Sequence, residues 1–263
     1  MQTLAEPTVA LLLVLLFLGF IGGFIDNLFG MGYSLLAPVL IFMGLNPLVV
    51  VPTLLLSQTA AGLSGTIFHR FFKNIEFSSP DQREAKTYLL FTSFGIIGAV
   101  ISAIIAITLP DWFMLTYIGI MMVAVGFMVK RKVSFVGRWR EMYLASAVGG
   151  FNKAISGGGY GPIITSVQIM SGSKARKSVG ITQFSESTIS AIGFLIYVAL
   201  EGPFALLEVS QSLTILIITG VVAAPLGALL VTRLHDHIAE NVIGTAAIAL
   251  GIFTLVRLLI IWM

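Results

Sequence analysis

Gly149 to Pro162 reads GGFNKAISGGGYGP, in the middle of a very apolar chain. Three consecutive glycines, Gly157, Gly158 and Gly159, separate two hydrophobic runs, and Tyr160, Gly161 and Pro162 follow at once. Glycine in such numbers marks backbone that turns sharply or lies bare to a ligand, and proline suits the first turn of a helix. An earlier stretch, Gly22 to Pro38, repeats the pattern, with Gly30-Met31-Gly32-Tyr33 where the later one has Gly157-Gly158-Gly159-Tyr160. The pair reads as two chain breaks at membrane depth, facing one another across a site for a small anion.

Composition places the chain in a bilayer. Of its 263 residues 57% are hydrophobic and 10% charged, against about a quarter charged in soluble domains. The mean hydropathy is +1.00. No polar stretch is long enough for a separate soluble domain. The absence of cysteine removes disulfides, thiolate metal sites and thiol catalysis. A net charge of +3 in a membrane protein marks cytoplasmic loops rather than a nucleic-acid partner. The opening MQTLAEPTVALLLV carries Glu6 and no Lys or Arg, unlike the positive start of a signal peptide, and is expected to be a retained first segment.

About 20 apolar residues cross a bilayer as a helix. On that ruler, segments are expected at 8–29, 33–44, 47–72, 86–108 and 112–130. A second series follows at 141–156, 160–171, 175–199, 209–232 and 238–262. The two series match. A shift of 127 lays Gly30, Gly32 and Tyr33 on Gly157, Gly159 and Tyr160. At 128, Ser57-Gln58-Thr59 falls on Ser185-Glu186-Ser187, and at 125 Gly95 meets Gly220. The expected fold is therefore an all-α membrane protein of two five-segment repeats, 1–132 and 133–263, together one transmembrane domain.

Basic residues give the expected orientation. Arg70, Lys73, Arg83 and Lys86 share one connection, and Lys130, Arg131, Lys132, Arg138 and Arg140 share another. Lys174, Arg176 and Lys177 form a third cluster and Arg233 a fourth, whereas 44–47, 109–111 and 200–208 contain no Lys or Arg. One alternation satisfies every loop, with basic connections in the cytoplasm and both termini outside. An odd number of segments per repeat then makes the halves inverted, as in secondary transporters with a substrate site between them.

Residues 33–44 and 160–171 make helices of about 16–18 Å at 1.5 Å per residue, against roughly 30 Å of hydrocarbon. Each is expected to start partway through the bilayer, where bare backbone is tolerated only inside protein or along a wet cavity. The first turns, with Gly32, Tyr33 and Ser34 on one side and Gly159, Tyr160 and Gly161 on the other, would aim free N–H groups at an anion. The competing reading is that these glycines only let helices pack closely.

Polar side chains cluster at the same depth. Thr53, Ser57 and Ser64 lie on one stripe beside Gln58, and Thr182, Gln183, Ser185 and Glu186 cluster in the other half. They suit anion oxygens, or simply hydrogen bonds between helices. Glu186, about 15 Å into its segment, is the sharpest single candidate, since an ionisable group at that depth is functional by default. It would carry a proton with or against the substrate, or pair with Lys153. Asp26 and Lys153 hold equivalent places, each four residues before a glycine break, and would pair with each other, meet the anion or stay solvated; Asn27 and Asn152 sit beside them. His235-Asp236-His237 gives no convergent metal cage, and Arg257 reads as a snorkelling end residue. The small-residue strings Gly95, Gly98, Ser102 and Gly220, Ala224, Gly227 read as packing faces. No Walker, HExxH or Ser/His/Asp pattern supports an enzyme, and no cofactor is implied.

The first glycine segment with Pro38-Val39-Leu40, Gly44, Pro47 and Thr53 resembles the first half of the sulfite exporter TauE/SafE family. GGGYGP and the run from Ser178-Val179-Gly180-Ile181-Thr182 to Glu186 resemble its second half, so the likeness covers nearly the whole chain. Met31 departs from a family motif that often runs through glycine. The resemblance implies transport of sulfur-containing anions, such as sulfite, sulfoacetate or taurine-derived compounds, across the cytoplasmic membrane. The expected protein is thus a secondary transporter, monomeric or homodimeric, working by alternating access. The alternatives are an anion channel of the same fold or, further off, a membrane scaffold or receptor.

Overall fold

Apolar runs close into helices, here even across Pro52 and Pro225, because lipid offers the backbone no other hydrogen-bond partner. The computed structural model describes residues 9–43, 47–76, 83–106, 110–131, 139–201, 211–234 and 236–262. Among them every regular element is helical. In order they are α1 (Val9–Phe29), α2 (Gly32–Phe42), α3 (Pro47–Phe71), α4 (Arg83–Ala106) and α5 (Asp111–Lys130), then α6 (Trp139–Ser156), α7 (Tyr160–Met170) and α8 (Ala175–Glu201). Last come α9 (Gln211–Leu230), a 3-10 turn over Val231–Arg233 and α10 (Asp236–Trp262). These are the ten expected segments, with ends moved by a few residues. Both helices expected to be short are short, at 11 residues each.

Among the described residues five helices are long and apolar enough to span a membrane, over Leu11–Phe29, Val49–Phe71, Ala85–Ile105, Ala175–Leu200 and Thr214–Arg233. The surface agrees. Phe17, Ile67, Leu195 and Leu259 are each more than 60% exposed, while the interior holds Asp26, Lys153, Glu186, Gln58 and Gln183. Apolar outside and polar inside reverses the order of a water-soluble core and suits a bundle whose solvent is lipid.

α3 and α8 lie against each other at the centre. α9 flanks α3 and α4 flanks α8; α1 packs on α9 as α6 packs on α4, and α5 pairs with α10 at the edge. The expected small-residue faces are packing faces. A Cβ on Gly23 would come 2.6 Å from Cα of Gly220, and one on Gly150 would run into the carbonyl of Gly95. Such close backbone approach is how membrane helices gain contact where lipid provides no hydrophobic drive between them. The short helices fill the middle. α2 touches α1 and α3, α7 touches α6 and α8, and the two also touch each other.

Candidate functional site

α1 and α6 end in the same way. Gly30 has φ +73° and Gly157 φ +72°, a left-handed conformation that glycine adopts without strain and that commonly stops a helix. The N–H of Gly30 donates to the carbonyl of Asp26 at 2.6 Å, and that of Gly157 to the carbonyl of Lys153 at 2.9 Å. Asp26 and Lys153 are therefore the last-turn residues of the two helices that run into the breaks. Both breaks lie in the protein interior, with Gly30, Gly32 and Gly157 to Gly161 all buried.

The breaks meet. A Cβ on Gly161 would land on the carbonyl oxygen of Gly30, and one on Gly158 would come 2.6 Å from Cα of Ser34. Across this contact the N–H of Gly159 donates to Ser34 Oγ at 2.7 Å. The first turns of α2 and α7 thus face one small region bounded by α1, α3, α6 and α8.

Three charged side chains are fully enclosed there, with Asp26 1%, Lys153 0% and Glu186 2% exposed. Lys153 Nζ donates to Glu186 Oε1 at 2.8 Å and to the carbonyl of Gly157 at 3.1 Å. It also lies 5.3 Å from the ring centre of Tyr33, a favourable place for a cation. Asp26 has a different partner. Gln183 Nε2 donates to its Oδ2 at 2.8 Å and to its carbonyl at 2.6 Å, and the N–H of Tyr33 reaches Oδ1 at 3.4 Å. Of the pairings open to Lys153, the one with Glu186 is formed and the one with Asp26 is not, although Asp26 stays within electrostatic reach. Neither Asp26 nor Lys153 is solvated. Charges removed from water need close partners to offset lost hydration, and here α8 supplies both, Gln183 to Asp26 and Glu186 to Lys153.

The hydroxyls sort into two kinds. Ser57 Oγ shares a hydrogen bond with Tyr33 Oη at 2.8 Å, and Tyr160 Oη donates to Ser185 Oγ at 3.0 Å. These tie each break to its central helix. Thr53 and Ser64 turn to backbone carbonyls, Thr53 to Val49 at 2.7 Å and Ser64 to Val221 at 3.3 Å, so they serve packing. Gln58 Nε2 donates to Gln183 Oε1 at 3.4 Å and joins α3 to the Asp26 cluster.

Some polar atoms in this region have no hydrogen-bond partner, among them Glu186 Oε2, Gln58 Oε1 and Asn152 Oδ1. Asn27, by contrast, donates to the carbonyl of Gly23 at 2.9 Å within α1 and packs where Gly65 and Gly227 leave room. It stays off the breaks.

Two buried polar clusters went unread in the sequence. Gln168 Nε2 donates to Thr182 Oγ1 at 3.0 Å and to the carbonyl of Ser178 at 3.2 Å, fastening the far end of α7 to α8. Asn74 Nδ2 contacts His69 Nδ1 at 3.0 Å and donates to the carbonyl of Ala228 at 3.0 Å, fastening the end of α3 to α9. His69 and Asn74 flank Arg70 and Lys73, so their stretch reads as a solvated connection. Only the small residues opposite, Gly180 and Ala228, could have signalled burial. Among the described residues no three His, Asp or Glu side chains converge as metal ligands; His235 lies outside the described residues.

A helical bundle with lipid-facing apolar sides and a buried, charged centre at two chain breaks defines a multi-pass membrane protein of the transporter class. The chain belongs to the sulfite exporter TauE/SafE family, whose model matches residues 15–258. It is also similar to the probable membrane transporter protein YtnM of Bacillus subtilis (strain 168), at 26% identity over 263 residues, 94% of this chain and 83% of that protein. No solved structure matches the chain.

Proposed function

We propose that the protein is a secondary transporter that moves a small sulfur-containing anion, such as sulfite or an organosulfonate, across the cytoplasmic membrane by alternating access. The observation that carries this reading is the meeting of two glycine breaks around the buried Lys153 ammonium. A fully enclosed cation beside the N-terminal turn of α7 is chemistry for an oxyanion. The amides near Gly32–Ser34 and Gly159–Gly161, with Asn152, would face the substrate. Ser57, Gln58, Gln183 and Ser185 would shape the walls, and Gly30, Gly157 and Gly158 keep the breaks narrow enough to meet. Lys153, Glu186 and Asp26 would supply charge and coupling.

In this reading residues 1–132 and 133–263 are inverted repeats. The packing supports two related halves, since exchanging α1 with α6, α3 with α8 and α4 with α9 carries each main contact onto another. Basic connections would lie in the cytoplasm and both termini outside. The halves would rock about the shared breaks. An anion channel of the same fold is the second reading, and accumulation separates the two. Neither reading requires catalysis, a cofactor or a macromolecular partner, and the monomer or a homodimer would suffice.

The test uses purified protein in proteoliposomes offered sulfite, sulfoacetate, methanesulfonate, acetate and chloride. Saturable uptake of a sulfur oxyanion, rising above the outside concentration under an imposed gradient, is expected. Uptake that never exceeds equilibration favours the channel, and no uptake of any member removes the anion assignment.

A further inference from the structure

We propose that Glu186 is the site's own tethered anion: it occupies the place on Lys153 that the substrate takes, and yields that place by binding a proton. This rests on the anion-transport reading above and adds to it the direct ligand and the stoichiometry.

An ammonium group has three protons to donate. Lys153 gives one to Glu186 Oε1 and directs another at the carbonyl of Gly157, while Tyr33 covers it from the side. An incoming anion finds the N–H that pairs with a carboxylate already taken until Glu186 leaves. It needs that donor, because the first turn of a helix offers only partial charge and a bare anion in a buried site is costly. The carboxylate is seated where such an anion would be. Its Oε1 is on the ammonium, and its Oε2 has no hydrogen-bond partner although the residue is 2% exposed. A Cβ on Gly161, in the first turn of α7, would be 3.2 Å from that Oε2. A carboxylate and a sulfonate present similar pairs of oxygens to a donor, so one replaces the other without rebuilding the site.

Charge balance decides how the exchange runs. The groups facing Glu186 are Lys153 from α6, Asp26 from α1 and the phenols of Tyr33 from α2 and Tyr160 from α7. With both carboxylates ionised the cluster is one negative charge in excess, and a monoanion arriving alone would double that excess. A proton passing from water on the open side to Glu186 as the anion reaches Lys153 leaves it unchanged. On the other side the proton returns to water, the carboxylate returns to Lys153, and the anion is expelled. The protein is then a proton–anion symporter, with its net direction given by the two gradients together.

The test measures proton uptake on binding. Methanesulfonate serves as the probe because it carries a single charge and does not titrate. Added to the wild-type protein in detergent, weakly buffered with an indicator dye, it is expected to draw in about one proton per anion bound, and its Kd to rise about tenfold per pH unit while Glu186 is ionised. Glu186→Gln is expected to bind it with no proton uptake and no such slope, and Lys153→Met to lose binding. Wild-type binding without proton uptake overturns the inference and leaves anion transport standing, as does a slope that survives in Glu186→Gln. If the glutamine variant does not fold, the wild-type proton count decides alone. A wild type that neither binds nor moves any anion of the panel removes both readings.

Discussion

Tyr33 and Tyr160 stand 127 residues apart in the chain and make the same contact in the fold: each phenol meets the serine of the neighbouring central helix, Ser57 at 2.8 Å and Ser185 at 3.0 Å. Both rings are almost wholly buried. Each tyrosine opens a short helix, so the contact pins the free end of a break to the centre of the bundle.

Removing either phenol hydroxyl tests that role. Tyr33→Phe and Tyr160→Phe should each lower stability by about 0.5–1.5 kcal/mol, the net worth of one hydrogen bond. Ser57 keeps its bond to the carbonyl of Leu216 and Ser185 keeps that to Ile181, so neither serine is orphaned. Unfolding in detergent would measure the loss, and one near zero for both would show that the pins carry no weight.

The glycine contact leaves less room. Gly161→Ala forces a methyl onto the carbonyl of Gly30, and overpacking of this kind costs about 1–3 kcal/mol, more where backbone must move. Gly193→Ala is the control, with Leu55 Cδ1 at 3.3 Å as its nearest neighbour. Thermal unfolding should separate the two clearly, and substrate uptake should fail only in Gly161→Ala.

Lys153 and Glu186 distinguish stability from function. Lys153→Met alone leaves a carboxylate buried without its cation and should destabilise by about 3–5 kcal/mol. Adding Glu186→Leu removes the stranded charge and should recover most of that loss. The double variant should be stable and inactive in uptake. Stability that stays low in the double variant would mean that packing, not the charge, was lost.

Gln183 holds Asp26 through two hydrogen bonds. Gln183→Leu should cost about 1.5–3 kcal/mol, because one of the bonds is to a charged group. Gln183→Glu should be worse, since it sets a second carboxylate against Asp26. Equal unfolding temperatures for the two variants would show that Asp26 is not held by this amide.

Away from the centre, Asn74 bridges the end of α3 to α9 through His69 and Ala228. Asn74→Ala removes both contacts and should cost about 1–2 kcal/mol with little change in substrate affinity. A large change in affinity would tie this remote end to the central site.

The amino-acid sequence by itself determined the ten helices, the shortness of the second and seventh, and the place of the breaks before them. It could do so because span length is a count along the chain, and because Gly30 and Gly157 break helices by their own backbone freedom. It also marked Asp26, Lys153 and Glu186 as charges at depth. Only the tertiary structure decided their partners. Lys153 meets Glu186 rather than its sequence counterpart Asp26, and Asp26 takes Gln183, because the pairing depends on how α8 is rotated against α1 and α6. That rotation is the summed result of packing along three helices, which no local stretch encodes. His69 and Asn74 were hidden for the same reason: beside Arg70 and Lys73 they read as surface, and α9 is what encloses them.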